Sequence, residues 1–268
     1  LSDNGQGVAL DSVEGIGRFA ADSDFLAQHA DLRELYCSAQ SPVWCRYAAR
    51  LCYPPQPAGM AAEHRMFHSY GWEESVFPHE YAQAFNMRLS AVGTMSRYVA
   101  KTLADSGVSR PVPVTGLGTD HIREVSATPS VLVDWLPDIE APTRASFVFL
   151  HVSSCFPRKG VDVLMTAWAE TFSSADRVLL VIKTFPNPHH EIEQSLDRLR
   201  FKYPDMAPVV LINADIDDSG MKALYEYCDA LVAPTRGEGF GLPMAEAMWC
   251  DRPVIVTGYG GQTDFCST

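Results

Sequence analysis

With 268 residues, 47% of them hydrophobic and 20% charged, the chain has the composition of a folded globular protein, which excludes a disordered chain, a collagen and a coiled coil. It carries 33 acidic and 21 basic residues, a net charge of −12 spread over both halves, which argues against a nucleic-acid-binding face. Seven cysteines without a C-x-x-C pair favour a reducing, cytoplasmic compartment, and no apolar run reaches the ~18–20 residues that span a bilayer.

The first half is irregular. Helices are predicted over Asp24–Leu32 and Val43–Leu51, and the proline-rich Tyr53–Gly59 reads as a loop. His68, Trp72 and Glu73, in HSYGWE, mix aromatic and polar groups. They read either as a platform for a sugar ring or as a buried Trp72 beside a capping Glu73. Ser96 is a predicted N-cap for a helix through Val99 and Leu103, closed by Gly107. Pro111–Val114 reads as a short strand leading to Gly116-Leu-Gly118. Prolines 129, 137 and 142 break up the stretch from 119 to 145, and the boundary is placed there, with one domain over 1–140 and a second over 141–268.

From residue 146 the pattern becomes regular. Continuous apolar runs at Phe147–Val152, Val178–Ile182, Val209–Ile212, Ala230–Ala233 and Val254–Val256 predict strands buried on both faces. Between them Val161, Leu164, Met165, Trp168 and Phe172 keep helical spacing, as do Ile192, Leu196, Leu199 and Tyr203, and then Met221, Leu224, Tyr225 and Cys228. A fourth helix opens at Gly241 with Pro243 in its first turn. Strict alternation predicts an α/β fold with a parallel sheet, and right-handed crossovers place every strand-to-helix loop on one ligand-binding edge.

Two sequences fall on that edge. Arg236-Gly-Glu-Gly-Phe-Gly-Leu-Pro-Met-Ala-Glu246 joins the fourth strand to the fourth helix. Gly239 and Gly241 permit close backbone approach, and the free N–H groups of Gly241 and Leu242 at the helix start suit a phosphate. Glu238 and Glu246 are better placed to accept hydrogen bonds from sugar hydroxyls than to meet an anion. Pro157-Arg-Lys-Gly160 follows the first strand of this half, so Arg158 and Lys159 could neutralise a diphosphate; Lys183, ending the next strand, could assist or merely snorkel. Asp215 and Asp217 are read as capping acids rather than metal ligands, and no zinc spacing, nucleophile elbow or complete G-x-G-x-x-G is present.

The E-x7-E element within EGFGLPMAEAM resembles the signature of retaining glycosyltransferases of family 4 (glycosyl transferase group 1). PRKGVDVLMTAW, CDALVAPTRGEGFGLP and RPVIVTGYGGQTDF are similar to successive donor-domain segments of that family; YGWEESVFPHEY, SRYVAKTLADSGV and PVPVTGLGTD resemble its acceptor domain. The resemblance implies a GT-B fold of two Rossmann-like domains. It implies transfer of a sugar from a GDP- or UDP-sugar to a glycan or lipid-linked acceptor, without a metal or other cofactor, in the cytoplasm or peripheral to the cytoplasmic face of a membrane. By that resemblance Glu238 contacts the donor sugar, with Gly239, Phe240, Gly241 and Leu242 around it. Glu246 holds the ribose hydroxyls, and Lys159 with Arg158 steadies the departing diphosphate. Two departures stand out. The family's Gly-Arg pair after the first donor-domain strand is replaced by Ser153 and Ser154, and the closing helices and the glycine-rich acceptor loop are not evident, which implies an incomplete chain. The competing expectations are a non-catalytic sugar-binding or scaffold relative and a nucleotide-sugar epimerase.

Overall fold

The computed structural model describes residues 9, 26–27, 29–37, 44–137, 146–188 and 190–267. Of the helix expected over Asp24–Leu32, residues 24, 25 and 28 lie outside the described ones, as does Pro142; the described helix is α1, Ala30–Cys37. The segment expected as a second helix, Val43–Leu51, is instead strand β1, Cys45–Arg50. It pairs in parallel with β2, Ala62–Tyr70, from Cys45↔Ala62 to Arg50↔Phe67. Ladder bonds to a partner 17 residues away decide this backbone, and no local spacing encodes them.

The first sheet is β1-β2-β3, with β3 at Ala91–Thr94, all parallel. Pro111–Val114 lies along β3, giving carbonyls to Val92 and Thr94 and an isolated bridge at Thr94↔Val114. Helix α2, His79–Arg88, and α3, Arg97–Asp105, cover this sheet. Its core is aromatic: Phe67, Tyr70, Trp72, Phe77 and Phe85 touch with ring centroids 5.0–6.1 Å apart.

Each strand expected in the second half is present: β4 Phe147–Val152, β5 Val178–Thr184, β6 Val209–Asn213, β7 Ala230–Ala233 and β8 Val254–Val256. They pair in parallel in the order β6-β5-β4-β7-β8. Both faces are covered, which is why the strands read as unbroken apolar runs. On one face α5, Val161–Thr171, and α6, Ile192–Lys202, pack Met165, Trp168, Ile192 and Leu196 against Leu180 and Ile182. On the other, α7, Asp218–Tyr227, and α8, Leu242–Trp249, bury Leu224, Tyr225, Met244 and Ala247 against Leu150 and Leu231. That second core also holds Ile122, Leu132 and Leu136. They come from α4, Asp120–Glu124, and the turns after it. Residues 120–136 therefore lie before the boundary drawn at 140 yet pack with the second sheet.

Candidate active site

The strand order positions the site. From β4 the chain steps outward to β5 and β6, then returns to β7 on the opposite side of β4. The order thus reverses between β4 and β7, and ligands of such sheets bind at the C-terminal ends of the strands flanking that switch point. The loop after β4 holds the turn Pro157–Lys159, and the loop after β7 holds Glu238 ahead of α8. Lys159 Nζ donates to Glu238 Oε1 at 2.6 Å, and Arg158 Nη1 lies 3.7 Å from Glu238 Oε2. Glu238 is only 6% exposed, so two cations compensate one buried carboxylate. Arg158 Nη1 also donates to Gly237 O at 2.6 Å, and Arg158 O accepts from Arg236 N at 2.8 Å. Gly160 closes this turn at φ 72°; a Cβ there would stand 2.0 Å from Pro234 O. The two loops are thus locked to each other by backbone contacts, and the side chains they present are preorganised.

The first sheet's loops close over this edge. Ser96 caps α3 by accepting from Val99 N at 3.2 Å, and its hydroxyl donates to Gly239 O at 2.6 Å. Arg97 N donates to Asp264 Oδ2 at 2.7 Å, and the Tyr98 ring stands edge-on to Tyr259. Arg158 Nη2 reaches Glu73 Oε1 at 3.4 Å. A Cβ on Gly237 would meet Glu73 O at 2.6 Å, and one on Gly239 would meet Trp72 N at 3.2 Å. The close approach these glycines permit is therefore to the backbone of the facing domain.

Glu246, on α8, is 7% exposed. Its Oε1 accepts from His121 Nε2 at 2.8 Å and its Oε2 from the Tyr225 hydroxyl at 2.5 Å. Burial, and the charge of Glu246, push the Tyr225 hydroxyl well above its ordinary pKa, so it remains a donor. Sequence reasoning missed His121, because nothing local links it to a carboxylate 125 residues on. It assigned Tyr225 only to an apolar helix face.

The remaining expected residues divide. Lys183 is buried and donates to Thr184 O at 3.0 Å; burial lowers its pKa against the opposing charge of Asp215. The second cation beside Glu238, after Lys159, is Arg158 and not Lys183. Phe240 packs on Phe265 with centroids 5.1 Å apart, Gly241 is the left-handed N-cap of α8, and Leu242 is its first residue. Trp72 is a core residue: its Nε1–H donates to Val76 O at 3.0 Å and its ring packs on Phe77. At 7% exposure it has no open face for a sugar, which corrects the platform expectation. His68 is exposed, with Nδ1 2.8 Å from Ser69 Oγ, while Glu73 is the one of these three residues whose side chain meets Arg158. Asp217 caps α7, accepting from Gly220 N at 2.8 Å. Among the described residues no three His, Cys, Asp or Glu side chains gather as a metal site, and no helix is long and apolar enough to cross a membrane.

Two parallel α/β sheets meeting at their C-terminal loops form the GT-B architecture. Solved structures share it. HepE from Anabaena, in complex with UDP and glucose, superposes with a TM-score of 0.60 at 18% identity, covering 78% of this chain and 57% of that one. A UDP-forming trehalose-phosphate synthase from Burkholderia xenovorans, with glucose-6-phosphate, gives 0.63 at 13% identity over 93% and 67%. Residues 146–267 match the family model described as Glycosyl transferases group 1. Among curated proteins, the serotype-specific mannosyltransferase WbdA of Escherichia coli is 20% identical over 161 residues. That match covers 57% of this chain, which spans about a fifth of WbdA.

Proposed function

We propose that the chain belongs to a retaining, metal-independent glycosyltransferase of family 4, moving a sugar from a UDP- or GDP-sugar to a glycan or lipid-linked acceptor in the cytoplasm. The carrying observation is the Lys159–Glu238 pair at 2.6 Å, set with Arg158 at the switch point between β4 and β7. The names of the relatives support the reading: WbdA is a mannosyltransferase, and HepE is seen with UDP and glucose.

In this scheme the bond from the anomeric carbon to the diphosphate breaks, and negative charge grows on the leaving oxygen. Lys159 and Arg158 stabilise that charge, which requires them in place before the reaction. Glu238 aims Lys159 and accepts from the donor sugar's hydroxyls. Glu246, fixed at both oxygens by His121 and Tyr225, holds the ribose. Glu73, on the facing domain, is the acceptor-side group. A second reading, a non-catalytic relative, rests on Ser153 and Ser154, which supply no cation. A panel of UDP- and GDP-sugars assayed for transfer separates the two. The catalytic reading expects turnover that survives a chelator and falls by more than ~tenfold in Lys159→Ala. Binding without turnover for every donor would favour the second reading, and an undiminished rate in Lys159→Ala would sink the site assignment.

A further inference from the structure

His151 lies within an apolar strand, is 1% exposed, and has no part in the transfer scheme. Its Nδ1 is 2.8 Å from Val232 O, on the neighbouring strand β7. Its Nε2 is 2.8 Å from Ser153 Oγ. Ser153 Oγ in turn accepts from Cys155 N at 3.0 Å. With the ring neutral, these partners set its tautomer; the Ser153 hydroxyl also lies 3.8 Å from Cys155 Sγ, a weaker acceptor. A carbonyl only accepts, so Nδ1 carries the hydrogen; Nε2 then only accepts, so the Ser153 hydroxyl donates to it while accepting from Cys155 N–H. Burial lowers the His151 pKa to about 4, which keeps the ring in that neutral form.

The chain bends where this network sits. Cys155 adopts φ 54°, a left-handed conformation rare for a side-chain-bearing residue. The bend begins the loop that ends at Arg158, Lys159 and Gly160. Ser153 N also donates to Lys183 O at 3.1 Å, so the loop departs from a fixed point on β5. The reading on which this rests is that Lys159 and Arg158 act on a departing diphosphate. We propose that Ser153, oriented by His151, is a positioning residue that fixes the turn presenting Arg158 and Lys159. The serine in the family's Gly-Arg position thus acts as an anchor for the remaining cations. His151 links the two loops of the site, since it ties the start of one to the strand leading into the other.

The test compares Ser153→Ala and Ser153→Thr in the chain as it stands, with Lys159→Ala as reference. Ser153→Ala is expected to lower kcat and kcat/KM together by roughly ten- to a hundredfold, the loss expected of a displaced catalytic group. Ser153→Thr, which keeps the hydroxyl, is expected to recover most of that loss. Histidine 15N spectra supply a readout independent of activity. One ring is expected in the Nδ1–H form between about pH 5 and 8, its Nε2 resonance moving in Ser153→Ala. The assignment is made by loss of that signal in His151→Gln. A Ser153→Ala protein with unchanged kcat, or a His151 ring protonated at Nε2, overturns the proposal. If Lys159→Ala loses activity while Ser153→Ala does not, only the positioning role fails. If both keep the wild-type rate, the proposed function of the cations fails with it.

Discussion

Breaking the Lys159–Glu238 pair should cost stability as well as turnover, and the cost can be worked from its surroundings. At 2.6 Å two unit charges attract by about 6 kcal/mol at an effective dielectric near 20, before desolvation is subtracted. The two side chains are 18% and 8% exposed, so desolvation removes much of that gain. What remains is the penalty for leaving one charge without its partner. Lys159→Met strands a buried carboxylate whose nearest other cation, Arg158, is 3.7 Å away. Full stranding costs ~3–5 kcal/mol, and Arg158 should hold the loss to about 3 kcal/mol. Glu238→Gln should cost less, because Lys159 can turn toward solvent. The double variant removes both charges, so its loss should fall short of the sum by about 2 kcal/mol. Urea denaturation of the four proteins closes the cycle. Losses additive to within ~0.5 kcal/mol would mean the pair is solvated, and the argument that Glu238 aims Lys159 would fail.

The same geometry sets three further outcomes. Gly160→Ala should destabilise by about 2–5 kcal/mol, since φ 72° is strained for alanine and its Cβ would stand 2.0 Å from Pro234 O; chemical denaturation would register it. Ser96→Ala should lose about 1–2 kcal/mol and lower the Tm, because one hydroxyl serves both the α3 cap and Gly239 O; an unchanged Tm would show that this contact does not hold the domains together. His151, lowered to about 4 from 6.5 by burial, folds in its neutral form. The unfolded chain takes up a proton first as pH falls, so stability should drop by about 3 kcal/mol between pH 6.5 and 4 and level off below. His151→Gln should flatten that part of the curve measured by urea titration.

Much of the second half was readable as sequence. Its strands are buried on both faces, so each is an unbroken apolar run, and the helices between them show one apolar stripe each. The ligand edge followed from that alternation and from right-handed crossovers. Glycines, a helix start and Glu238 coincided in one short segment, and Arg158 and Lys159 followed a neighbouring strand. The capping role of Asp217 was equally local, being set by the three residues after it. The first half failed where its structure is not local. Val43–Leu51 carried a pattern compatible with a helix, and pairing with β2 made it a strand.

The sequence by itself determined the parallel α/β character of residues 146–267, the loops that carry chemistry, and the residue types on them, because period and turn chemistry are encoded within a few neighbours. Only the tertiary structure decided the partnerships. It brought Arg158 rather than Lys183 to Glu238, joined His121 and Tyr225 to Glu246, and turned Trp72 into the aromatic core. It set His151 against Ser153 and Val232, and Ser96 against Gly239. The longest of these contacts span 79 to 143 residues, and their distances and directions are fixed by strand order and by the packing of one domain on the other. A linear pattern records which groups are available; which of them can meet depends on where the sheet reverses its order and on what closes over that edge.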